Sequence, residues 1–133
     1  TECYAPGIES NWRRWVAEAL RYAREKRLVF ERDHVEVTAR EWLTPEEYYG
    51  MLKTNGFRVI HALHVPVRLG RGALEAIAQY AEFAAGSFHI NPSHARASEY
   101  IHNASQALVA VVSRAFPSDG VDRNWLQLVA QKA

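Results

Sequence analysis

A chain of 133 residues with sixteen Lys and Arg against fifteen Asp and Glu has a net charge of only +1, so it is no polycation and any nucleic-acid affinity must be local. With 48% hydrophobic and 23% charged residues it is long and apolar enough to bury one core without staples. A single cysteine, Cys3, excludes an internal disulfide, and no apolar run or leader suggests a membrane span or a secretory signal, so a cytosolic setting is expected.

Residues 1–10 read as irregular, since Pro6 and Gly7 interrupt any early helix and Ser10 or Asn11 can serve as the cap of a later one. A first helix is expected from residue 11 to between 27 and 30. At 100° per residue, Trp12, Trp15, Val16, Ala19, Ala23 and Phe30 gather on one side, and Arg13, Arg14, Arg21, Arg24 and Arg27 on the other. Over residues 11–28 six bases, those five arginines and Lys26, stand against Glu18 and Glu25 and leave +4. This is the one strongly basic stretch. Arginine dominates it, and the guanidinium fork grips phosphate bidentately.

Residues 28–40 are ambiguous: Val35 and Val37 alternate with acids as a short strand would, yet the stretch could equally prolong the first helix, and an irregular or short extended link is the favoured reading. Thr44, Pro45 and Glu47 then spell a capping box with proline at the first helical position, and a short helix over 45–54 stops at Asn55 and Gly56. Residues 57–67 read as extended, with Pro66 barring them from the centre of a sheet. A third helix is expected over 73–85, poor in charge and therefore buried on most sides. Asn91 as cap and Pro92 at the first position open a long helix over 91–116, whose seam of Ala97, Ile101, Ala104, Leu108, Val111 and Ala115 suits close packing. Residues 117–120 turn the chain into a last short helix holding Trp125, Leu126, Leu128 and Val129.

The expected fold is thus mainly α. Residues 1–56 form an N-terminal helical arm, 57–70 an extended linker and 71–133 a C-terminal helical bundle.

Chemistry-bearing constellations are sparse. Five of the six histidines lie after residue 57, but His61 and His64, three apart on a strand, face opposite sides. Glu99 and His102 have the spacing of one half of a carboxylate-bridged di-metal motif, and the second half is missing. No phosphate loop, dinucleotide fingerprint, nucleophile elbow or cysteine pair is present. No catalytic residue, metal, cofactor or small-molecule substrate is expected, and the chain is not read as an enzyme.

The stretch NPSHARASEYIHNASQALVAVVSRAF, with its Pro-Ser start and alanine-rich body, and the ending PSDGVDRNWLQLVAQ resemble the major coat proteins of rod-shaped and filamentous archaeal viruses, the rudivirus, lipothrixvirus and tristromavirus group. The segment NWRRWVAEALRYAREKR matches their DNA-wrapping arm in character. The resemblance implies a virion subunit, assembled in the host cytoplasm, that pairs with itself or with a paralogous coat protein and encloses double-stranded DNA in a helical filament. Arg13, Arg14, Arg21, Arg24, Lys26 and Arg27 would then hold phosphates without reading bases. Two other readings stay open. A small helical regulator or nucleoid-type protein should show a recognition helix with base-reading residues at its start. A small α-helical enzyme should gather Tyr100, Glu99 and histidines in a pocket.

Overall fold

The computed structural model describes residues 2–3, 8–31 and 43–133. Six helices hold 53% of the described residues, and two long antiparallel strands accompany them, so the fold is α+β and not purely α. The elements are β1 (Glu2–Cys3), α1 (Ile8–Glu25), α2 (Pro45–Thr54), β2 (Phe57–Gly70), α3 (Arg71–Ala78), α4 (Ala81–Phe88), α5 (Ala97–Ala110), α6 (Val112–Ala115) and β3 (Gly120–Lys132). The strand order is β1-β3-β2, with β1 antiparallel to β3 through Glu2 opposite Trp125 and Cys3 opposite Asn124.

The chain divides into two compact units. One comprises residues 9–37 and 69–121, described over 9–31 and 69–121, and is helical. Its core is Trp15, Ala19 and Ala23 of α1, Leu74 and Ala78 of α3, Ala84 and Phe88 of α4, and Tyr100, Ala104, Ala107 and Leu108 of α5, closed by Val111, Val112 and Phe116. The seam largely does what its spacing predicts: Ala97, Ala104, Leu108, Val111 and Ala115 are buried and Ile101 is half-buried, and α3 and α4 both pack on α5. α1, grouped by sequence with the arm, shares this core.

Two helices differ from expectation for identifiable reasons. The long run expected over 91–116 begins only at Ala97. Asn91 Oδ1 accepts from the Ser93 N–H at 2.9 Å and His94 Nδ1 from the Arg96 N–H at 3.0 Å, so these side chains satisfy backbone donors locally and compete with the helix. At its far end the run is interrupted at Val111. There the Leu108 carbonyl accepts the Trp15 indole N–H at 2.9 Å, which occupies one of the acceptors a helix end leaves open. The expected third helix breaks at Gln79 and the extended Tyr80 into α3 and α4. Packing prevails over propensity here, because the break lets Leu74 and Ala78 on one piece and Ala84 and Phe88 on the other all become buried.

Three helices end on a left-handed residue: Arg27 (φ 54°), Gly56 (φ 78°) and His89 (φ 53°). After α1, the Leu28 N–H reaches the Ala23 carbonyl and the Arg27 N–H the Arg24 carbonyl, the paired bonds of a Schellman stop. Glycine is the usual occupant. Arg27 and His89 hold the conformation with full side chains.

The other unit comprises residues 1–8, 38–68 and 122–133, described over 2–3, 8, 43–68 and 122–133, and contains α2 with most of β2 and β3. The capping box forms as read: Thr44 Oγ1 accepts from the Glu47 N–H and Glu47 Oε2 from the Thr44 N–H. Residues 57–70, expected as a link, are a strand paired in a sheet. The last short helix is absent and β3 stands in its place. Trp125, Leu126, Leu128 and Val129 fit a helical stripe, yet burial alternates strictly, with Leu126, Leu128 and Ala130 turned in and Trp125, Gln127 and Val129 turned out. Gly120 explains how β3 starts. A Cβ there would lie 2.5 Å from the Leu69 carbonyl oxygen, so only glycine lets the two backbones meet at this point.

Candidate nucleic-acid interface

The basic side of α1 is built by the spacing that buries its other side. Trp15, Ala19 and Ala23 recur every four residues and are buried, while Arg13, Arg14, Arg21 and Arg24 fall within an arc of about 100° on the opposite flank and are exposed. Lys26 and Arg27 continue the exposed set beyond the helix end. Positive charge near a helix C-terminus is also favoured by the helix dipole, which suits Arg24 in the last turn.

The buried side holds the helix firmly. Besides the bond to Leu108, the Trp15 ring lies edge-on to Phe116 at 5.2 Å and tilted against Phe83 at 5.5 Å, and Trp12 meets Phe83 edge-on at 4.8 Å. Such edge contacts suit aromatic quadrupoles. Beyond α1, Asn103 Nδ2 donates to the Val29 carbonyl at 2.6 Å and Phe30 packs edge-on to Phe88 at 4.9 Å, so residues 28–30 are tied to the same body. The cations therefore stand on a fixed rod.

Arg21 and Lys26 are among those with neighbours that the charge count alone does not convey. Arg21 pairs with Glu18 one turn earlier, and the Lys26 ammonium sits 5.9 Å from the centroid of Tyr22. Both contacts obey the i, i+3 and i, i+4 rule, so the spacing could have revealed them. Glu18 offsets part of the positive field, and both cations remain solvent-accessible.

A second polar cluster lies at the start of α5. Arg96 reaches Glu99 with two 2.8 Å bonds and stacks 5.2 Å from the Tyr100 centroid, whose ring also lies 5.1 Å from His94. The bond from Arg96 holds the Glu99 carboxyl below the ordinary carboxylate range, and the same pairing raises Arg96. His94 Nε2 approaches Glu31 at 3.1 Å while Nδ1 accepts from the Arg96 N–H, so both ring nitrogens have partners. Glu99 is thereby engaged with Arg96, not with His102. Among the described residues no three His, Cys, Asp or Glu side chains converge as a metal site.

A shallow dish of 350 Å³ lies in the other unit, lined by Tyr49 of α2 and by Val59, Ile60, His61 and Ala62 of β2. Of the side chains an enzyme reading relies on, His61 lines it, whereas Tyr100 and Glu99 do not. No helix among the described residues is long and apolar enough to cross a membrane. No protein-family model, no curated protein and no solved structure matches the chain.

Proposed function

We propose that this chain is a structural coat subunit that binds double-stranded DNA through its phosphates, without sequence preference, and encloses it in a helical virion filament with further coat subunits. The observation that carries this reading is the exposed guanidinium face of α1, held rigid by the aromatic anchor on its buried flank. Phosphate contacts of this kind position a protein on a duplex and release counterions, and they carry no sequence information. The likeness to coat proteins of filamentous archaeal viruses supplies the assembly. The strand β3, lying where that likeness leads one to expect a helix, is a departure from it.

Replacing Arg14, Arg21 and Arg24 together by alanine should weaken binding to unrelated duplexes by equal factors. The slope of log K against log salt should shrink by up to about 0.9 per lost contact. Titrations of wild type and variant on several duplexes at graded salt measure both quantities. Strong dependence on base sequence, or an unchanged salt slope, would refute the proposal. Electron microscopy with and without DNA then tests the filament.

A further inference from the structure

Among the described residues the ribbon of β2 and β3 leaves several apolar side chains exposed. Within this unit's described residues only Leu126 is a fully buried large side chain, and α2 buries none. Met51, Phe57, Ile60, Leu63, Trp125 and Val129 are exposed by between 39% and 55%. At about 150–250 Å² for a large side chain, these six leave on the order of 500 Å² of apolar surface in water. By strand alternation Phe57 and Leu63 lie on one face of β2 and Ile60 on the other, so this surface flanks the strand on both sides, and a specific interface buries about 800 Å² per partner.

Among the described residues β2 is also an edge strand. From residue 57 to 65 it runs without proline, glycine, lysine or acid, the devices that normally protect an edge. Arg58 is the only formal charge in that stretch.

We propose that the open edge of β2 pairs antiparallel with β2 of a second copy of this chain, about a two-fold axis at His61. That register sets Phe57 opposite Val65, Val59 opposite Leu63 and Ile60 opposite Ala62, apolar on apolar, with His61 opposite its own counterpart on the axis. Arg58 falls opposite His64 and not opposite its own counterpart, so the sole cation is not repelled by itself. An isologous contact of this kind closes as a dimer, which suits a patch complementary to itself. The inference rests on the coat-subunit reading for the identity of the partner and names the surface that reading leaves open.

The test uses the full chain without DNA. Residues directly opposite in an antiparallel pair have Cα atoms about 4.5–5.5 Å apart, within disulfide range. The double variant Cys3→Ser, His61→Cys should therefore convert to a covalent dimer under mild oxidation. The control Cys3→Ser, His102→Cys, exposed on α5, should crosslink at least tenfold more slowly. In sedimentation, wild type should associate reversibly at micromolar concentration, and Leu63→Lys should raise the dissociation constant at least tenfold.

A wild type that stays monomeric, association untouched by Leu63→Lys, or crosslinking at His61 no faster than at His102 would each overturn the interface. So would a monomer in which the alternate amides over 57–65 that point away from β3 also resist exchange, since its own chain would then cover the edge. DNA retention by such a monomer would spare the nucleic-acid interface, whereas a dimer that ignores DNA would leave the ribbon contact and remove the coat reading.

Discussion

The helical unit and the ribbon unit have comparable proportions of apolar residues and use them differently. In the helical unit the large side chains Trp15, Leu74, Phe88 and Leu108 all disappear from water, and small alanines on α1 and α5 let the helices close over them. In the ribbon Leu126 alone does so among the described residues, while Trp125, as large as Trp15, remains 47% exposed. A helix presents one stripe to a core and a strand presents two faces. Two long strands with one short helix therefore leave apolar surface uncovered unless something else is added. Composition is thus a poor guide to stability here, and layering decides it.

Core substitutions break this comparison most directly. Trp15→Ala removes the ring and leaves the Leu108 carbonyl without its donor, and should cost about 3–5 kcal/mol, enough to unfold a marginal domain. Leu126→Ala should cost about 2 kcal/mol or more. Hydrogen exchange should locate that loss in β2 and β3, with the amides of α5 still protected. Loss of protection in α5 to the same degree would mean the two units melt as one.

Gly120→Ala comes next, at about 1–3 kcal/mol, because the new methyl would press on the Leu69 carbonyl where β3 begins. Chemical denaturation of the variant measures it. Arg27→Gly should act in the opposite sense and stabilise by about 1 kcal/mol, since glycine holds the left-handed stop of α1 without strain. The same change removes one cation, so a variant that is more stable and binds DNA less tightly would separate the two roles of this residue.

The smallest effect belongs to Glu99. Its carboxyl is lowered by Arg96, so the stability it contributes is present above the ordinary carboxylate pKa and fades as the pH falls through the lowered value. The pair lies at the surface, about half-exposed and screened by solvent, and the contribution is correspondingly slight. The melting temperature of Glu99→Gln should lie just below wild type at neutral pH and converge with it in acid.

Legibility in the sequence tracks the range over which each signal acts. The α2 boundaries were legible because Thr44, Pro45, Glu47 and Gly56 act within one turn of the elements they delimit. The arginine flank of α1 was legible because burial of Trp15, Ala19 and Ala23 at every fourth residue fixes the opposite side. β3 was not, because Leu126 with Val129 suits one period and Leu126 with Leu128 and Ala130 the other, and pairing with β2 decides between them. The late start of α5 turned on the Asn91 and His94 side chains bonding to their own backbone, a competition that the favourable Asn-Pro signal concealed. At the candidate interface the cations were visible in the sequence. The anchor that steadies them, an indole bonded to a carbonyl 93 residues away, has no local signature.

That anchor also sets an order of events during synthesis. Bringing Trp15 to Leu108 closes a loop whose entropic cost is about 4 kcal/mol by the logarithmic law, and it cannot begin until α5 has left the ribosome. At about 5–20 residues per second, α1 waits on the order of 5–20 seconds as a nascent amphipathic rod, tryptophans on one flank and arginines on the other. Throughout that interval its aromatic side lacks its full native cover, so a chaperone or another polymer would meet it before its completed core does.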